Sequence, residues 1–208
     1  MAISSLSKLS VPISGDQSAS NQGLLMPKLS YRFRVLFQNI GVSKPTTELT
    51  KQVMTAGRPS VSFDPIVLDV YNSRIKLPGK HKWEDTEIVV RDDASGSVSK
   101  LVGEQLQKQF DFFEQSGAAS GIDFKFTTQI QMLDGANGAY EPGVLETWEL
   151  YGCYLNKATY AGGDYTKSDP LTITMSISFD NALQVNEAGI AIGVGTNVGR
   201  TIGTLATG

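Results

Sequence analysis

The residues best equipped for chemistry lie in one run, YNSRIKLPGKHKWEDTEIVVRDD, residues 71–93. It opens basic with Arg74, Lys76, Lys80 and Lys82, holds the chain's only histidine, His81, and turns acidic at Glu84, Asp85 and Glu87. An imidazole among such groups invites three readings: a general base, a metal ligand, or part of a charged surface for another macromolecule. A metal site needs convergent ligands, and no second histidine exists to supply one. A nucleophile would have to be Cys153, the single cysteine. It stands mid-strand beside Tyr151 and Tyr154, the setting of a small core or subunit-contact residue rather than of an exposed thiolate.

The carboxylates offer little more. Asp92 and Asp93, or Glu84, Asp85 and Glu87, lack the regular donor spacing and closing Glu of a calcium loop. Nothing marks a pair of them as the tuned acid and base of a glycosidase. The glycine clusters AGG and GVG are not followed by the Lys-Ser/Thr of a phosphate loop. No enzyme, no metal and no cofactor is therefore expected. Trp83 and Trp148, with seven tyrosines, fit a carbohydrate platform on a β-sandwich as well as they fit core or interface positions.

Around these residues the chain reads as mainly β. YRFRVLFQNI alternates Tyr31, Phe33, Val35 and Phe37 against Arg32, Arg34 and Gln38. LTKQVMTAGRPSVSF, PIVLDVYNSRIKLPG (with a break near Asn72 and Ser73) and WEDTEIVVRDD are further candidate strands. DFKFTTQIQML and VLETWELYGCYLNKA follow, and PLTITMSISFD closes the series with Leu171, Ile173, Met175, Ile177 and Phe179 on one face. One helix interrupts the strands near residues 98–116. There Val98, Leu101, Val102, Leu106, Phe110 and Phe113 recur at spacings of three and four. Serines before it are candidate N-caps and Gly117 a candidate terminator. The sum is about seven strands and one inserted helix, an antiparallel β-sandwich or barrel-like pair of sheets. The second faces of these strands, rich in Thr, Ser and Gln, suit solvent or a water-filled channel.

Composition sets the limits. The chain has 208 residues, 40% of them hydrophobic and 19% charged, with net charge −3. That suits one domain with extensions, or at most two small ones, and is too acidic to coat nucleic acid. No apolar stretch is long enough for a membrane-spanning helix, and MAISSLSKLSVPISGDQ lacks the marks of a secretory leader. A lone cysteine suits a reducing compartment. The organisation predicted is an N-terminal arm over 1–29, a β-domain over 30–180, and a Gly-rich extension over 181–208 that a neighbouring subunit would have to order.

The order of elements resembles that of the tail tube proteins of contractile-tailed bacteriophages, related in fold to the type VI secretion tube protein. The resemblance is carried by residues 72–79, 83–92, 149–155 and 171–180, with the helix KLVGEQLQKQFDFFEQ and the strand FKFTTQIQML between them. It spans roughly residues 31–180 and excludes both extensions. It implies a hexameric ring whose sheets join into a continuous inner β-barrel, with rings stacked into a tube inside a sheath. The strands around residues 49–77 and 123–157 would line the lumen. The implied partners are further copies of the chain, the tail sheath, baseplate and tail-terminator proteins, with the tape measure protein and double-stranded DNA passing inside without specific binding. The implied location is the virion tail, assembled in the host cytoplasm. A carbohydrate-binding module or another virion structural protein is the alternative.

The opening run then gains a role. Pro78-Gly79 makes RIKLPGKHKWEDTE a projecting hairpin or long loop. Its basic residues Arg74, Lys76, Lys80 and Lys82 and its acidic Glu84, Asp85 and Glu87 would meet opposite charges on another subunit or ring. The competing reading is a solvated turn with weak local ion pairs.

Overall fold

A computed structural model describes residues 27–42, 47–135 and 142–185. By its contacts the chain divides into Met1–Arg32 and Phe33–Gly208. In the first unit residues 27–32 are described. They form a turn in which the Arg32 N–H donates to the Leu29 carbonyl (3.1 Å) and the Arg32 guanidinium lies 5.4 Å from the Tyr31 ring centre. Of the arm expected over residues 1–29, residues 1–26 lie outside the described residues, as do residues 186–208 of the extension expected over 181–208.

The second unit holds β1 (Phe33–Gln38), α1 (Thr47–Lys51), β2 (Val53–Ala56), β3 (Val61–Val70), β4 (Ser73–Trp83), β5 (Thr86–Arg91), α2 (Ser97–Gln109), β6 (Phe110–Asp111), β7 (Ser116–Gly117), α3 (Gly121–Phe124), β8 (Phe126–Leu133), β9 (Val144–Tyr160), β10 (Thr172–Ser178) and β11 (Asn181–Val185). Every pairing is antiparallel. The main sheet runs β1-β8-β9-β10-β5-β2, with β11 also on β9. The long strand β9 is the hinge of this arrangement. Its first half pairs with β8 and β11, and its second half with β10.

Alternation explains the core. Val35 and Phe37 of β1, Phe126 and Ile130 of β8 and Leu150 of β9 are buried together with Ile88 and Val90 of β5 and Ile173, Met175 and Ile177 of β10. The two halves of the sheet thus fold over one apolar interior, and α2 closes it with Val98, Leu101 and Val102. Residues of the opposite parity are polar and cross-linked: Arg34 donates to Gln131 (2.7 and 2.9 Å) and Gln129 to Glu149 (2.8 Å).

Several local expectations are corrected. Among the described residues there are three helices, although α1 and α3 are only five and four residues long. Helix α2 stops at Gln109, well short of residue 116, and Phe110 is extended (φ −151°, ψ 123°). The reason lies in two side chains, one making a tertiary contact and one a local turn. The Gln109 side chain both donates to the Leu155 carbonyl (2.9 Å) and accepts from its N–H (2.8 Å), so it is used as an edge partner of β9. The Asp111 carboxylate then accepts from the N–H groups of Phe113 (2.9 Å) and Glu114 (3.3 Å), which turns the chain. Gly117 belongs to β7 instead of ending the helix. Residues 181–185, read from sequence as the start of the tail, continue the β-domain as β11.

The N-terminus of α2 is not capped by a serine hydroxyl. Gly96 occupies the cap in the left-handed region (φ 67°), and Asp93 acts from outside. Its carboxylate accepts from the Val98 N–H (3.1 Å) and from the hydroxyls of Ser97 (2.8 Å) and Ser95. The Ser95 bond first, then the Val98 N–H and Ser97, hold the Asp93 carboxyl down at about 2, below the ordinary 3.8. A depressed carboxyl contributes stability above its unfolded value and loses it as pH falls through its folded value. Fraying of α2 is therefore expected between pH 3.8 and about 2. An NMR titration of the Val98 amide against pH checks this, and a midpoint at 3.8 or above would show that the cap does not hold.

Candidate assembly surface

Strands β3 and β4 form a two-stranded ribbon of their own. At about 3.4 Å per residue it extends roughly 33 Å. Its tip is a two-residue turn at Tyr71 and Asn72, between the paired Val70 and Ser73, which is where the sequence breaks. Tyr71 takes φ 46° and is wholly exposed, at 100%. A bulky residue in the left-handed region costs about 1–2 kcal/mol. Pro78-Gly79, expected at the turn, instead lies mid-strand. Pro78 faces Pro65, a bulge falls between Phe63 and Pro65, and a Cβ at Gly79 would overlap the Asp64 carbonyl oxygen. Two prolines that cannot donate to the ladder are tolerated here because, among the described residues, the ribbon has no further strand beside it.

The register sorts the side chains. Toward the tip, Ile66 faces Leu77 and Leu68 faces Ile75, giving an aliphatic face. Those four side chains are 45–50% exposed. The opposite face pairs Val67 with Lys76 and Asp69 with Arg74. Arg74 Nε donates to Asp69 Oδ1 at 2.6 Å, an exposed pair of the kind worth little. Lys76 and Lys80 have no ion-pair partner among the described residues. An isolated ribbon with an aliphatic face is marginal in water and presents two open edges.

Its base is firmly held. The Glu84 N–H donates to the Ser60 carbonyl at 2.9 Å. Rings meet tilted or edge-on from Phe63 to His81 (centroids 6.5 Å), His81 to Trp83 (6.2 Å) and Trp83 to Phe179 (5.6 Å). Asp85 accepts from Ser178 Oγ (2.5 Å) and Asn156 Nδ2 (2.7 Å), with Ser176 Oγ at 3.5 Å. The Ser178 bond above all, then that of Asn156, lowers its carboxyl below the ordinary value. Of the predicted charged residues, then, Arg74, Lys76, Lys80 and Lys82 lie along β4, Glu84 and Asp85 in the turn after it, and Glu87 on β5. Asp85 is engaged within its own subunit; Glu87 is exposed.

The remaining candidates are structural. Burial pushes the Cys153 thiol up to about 11, and its Sγ–H donates to the Leu150 carbonyl (3.3 Å). Both tryptophans are partly buried against the core, and Trp148 Nε1 donates to Glu146 (2.5 Å). Among the described residues no group of three His, Cys, Asp or Glu could hold a metal ion, and no helix is long and apolar enough to cross a membrane.

Sequence reading missed a second exposed surface, the turn after α2. Phe112 and Phe113 are exposed there, Phe113 at 93%, and Ile122 stands exposed nearby in the chain at 85%. Helical periodicity places Phe110 and Phe113 on one apolar stripe with Val98, Leu101, Val102 and Leu106. The only signal against this was the run SGAASG that follows, whose small residues favour a turn over a packed helix.

With this geometry in view, the chain's fold is shared with proteins of contractile injection systems and phage tails. A chain of the anti-feeding prophage tube-terminating cap superposes with TM-score 0.57 at 16% identity, over 81% of this chain and 97% of that one. A chain of the anti-feeding prophage baseplate gives 0.54 at 13% identity, over 78% and 98%. The SPP1 tail tube gives 0.50 at 16% identity, over 76% and 78%. No protein-family profile and no curated protein sequence matches the chain. The antiparallel β fold is thus that of tail tube proteins, as the ordered motifs imply.

Proposed function

We propose that this chain is a structural tube subunit. Copies form hexameric rings with a continuous inner β-barrel, and the rings stack into the hollow conduit of a phage tail through which the genome passes. The observation that carries the reading is the ribbon β3–β4, a long aliphatic and basic arm left uncovered on a domain of tail-tube fold. Such an arm is stabilised by lying on another copy, and a head-to-tail contact that does not close gives a filament. Joining sheets around a ring also covers the open strand edges. Sheath, baseplate and terminator proteins follow as partners, with the tape measure protein and DNA in the lumen, and the virion tail as location. The role is non-enzymatic. The likeness to anti-feeding prophage chains favours a second reading, in which the same tube serves an injection system.

Concentrated protein viewed by negative-stain electron microscopy is expected to show six-fold rings or hollow tubes. The variant Lys80→Glu/Lys82→Glu is expected to lose them at low salt while keeping its circular dichroism. Uniform monomers at every concentration up to the solubility limit would overturn the reading; undiminished tubes from the variant would remove the basic strand from the contact.

A further inference from the structure

The turn after α2 and the ribbon are complementary in both polarity and charge. From residue 109 to residue 124 the chain has three acids, Asp111, Glu114 and Asp123, and no Lys, Arg or His. The Asp111 carboxylate is consumed by the turn, accepting from Gln107 Nε2 (2.8 Å) and two backbone N–H groups. Those bonds hold it below its ordinary value, the Glu114 and then the Phe113 N–H contributing most. They also fix a tight bend, with Gln115 at φ 53°. The bend points Phe112 and Phe113 into water, flanked by exposed Glu114 and followed by exposed Asp123. Keeping such rings wet forgoes the stabilisation their burial would bring. The ribbon is the counterpart. It joins four aliphatic side chains on one face to four basic residues, Arg74, Lys76, Lys80 and Lys82, against two acids, Asp64 and Asp69.

We propose that the acidic aromatic turn of one copy is the acceptor for the ribbon of a second copy. Phe112 and Phe113 lie against the aliphatic face of Ile66, Leu68, Ile75 and Leu77, and Glu114 and Asp123 meet Lys80 and, round the open edge of β4, Lys76 of the opposite face. This rests on the tube reading and names the partner surface within it. Every copy carries one ribbon and one turn, so the contact is heterologous: it closes a ring where its rotation closes and builds a filament where it does not. Buried aromatic anchors supply most of the attraction, and the flanking charges set orientation and salt dependence.

Charge exchange tests it. Glu114→Lys/Asp123→Lys and Lys76→Glu/Lys80→Glu change exposed side chains and should leave the urea midpoint in place. Each is expected to raise the concentration for half-assembly about tenfold or more at low salt. All four changes in one chain should bring it back to within about threefold of the wild type, a coupling that independent sites do not show. Normal assembly of the turn variant would overturn the pairing. A four-fold variant no better than its worse parent would also overturn it, assign the turn to a different protein, and leave the tube reading intact. Absence of any assembly from the wild type overturns the tube reading and this contact with it. Independently, copies bearing Phe113→Cys mixed with copies bearing Leu77→Cys are expected to form a disulfide-linked dimer under mild oxidant, and monomers alone would count against the pairing.

Discussion

Replacing Gly152 by alanine is expected to lower the free energy of unfolding by about 2–4 kcal/mol. Two separable causes act at this residue. Gly152 has φ 67°, and an alanine held in the left-handed region costs about 1–2 kcal/mol. A Cβ built there would also overlap the Asp180 carboxylate. Swinging that carboxylate aside gives up its ion pair with Lys125 Nζ (2.5 Å), while the Asp180 backbone is held by its N–H donating to the Tyr151 carbonyl (3.0 Å). The position matters because β9 changes partner here. Tyr151 is paired with Asn181 of β11, and Tyr154 with Ser178 of β10. The left-handed glycine lets one strand serve both halves of the sheet while Asp180 fills the space a side chain would take. The double variant Gly152→Ala/Asp180→Ala removes the obstacle and should recover the share of the loss beyond backbone strain. Urea denaturation of both variants measures this. A loss under about 1 kcal/mol for the single variant would mean that the joint tolerates a side chain.

The strands that could be read from sequence are those with one wet and one buried face, because burial imposes a period of two on β1, β8 and β10. The ribbon breaks that rule. All ten residues of β3 are exposed, so PIVLDV showed apolar character without a partner to explain it, and Pro78-Gly79 gave a turn signal that the bulge had already used. The end of α2 was hidden for another reason. Phe110 and Phe113 satisfy a helical period, and only the tertiary bond from Gln109 to Leu155 ends the helix before them. The basic half of the candidate surface was legible as a run of charge along β4. The acidic aromatic half was not, since its identity depends on where that helix stops. The tail-tube fold was legible through the order of several weak motifs, none of which decides it alone.

Gln105 is the residue on which the placement of that turn depends, and Gln105→Met is expected to cost about 2–4 kcal/mol. The residue is fully buried on α2, where helical periodicity alone would favour an apolar side chain. Its Nε2 donates to the Phe124 carbonyl at 2.6 Å, and its Oε1 accepts from the Gly41 N–H at 3.0 Å. One amide thereby ties α2 to the loop after β1 and to the end of α3, on either side of the exposed aromatic turn. Methionine matches the shape and leaves a buried donor and a buried acceptor without partners. Each such orphan costs about 1–3 kcal/mol, whereas an amide exposed to water would cost little to remove. The expected signature in solution is a lower urea midpoint together with faster amide exchange at Gly41 and across residues 110–124. If that loosening displaces Phe112 and Phe113, assembly should weaken in the Gln105→Met protein even at urea-free concentrations where it is fully folded. A variant as stable as the wild type would show that water can replace the amide at both backbone groups. A destabilised variant that assembles normally would instead separate the acceptor surface from the bonds that hold it.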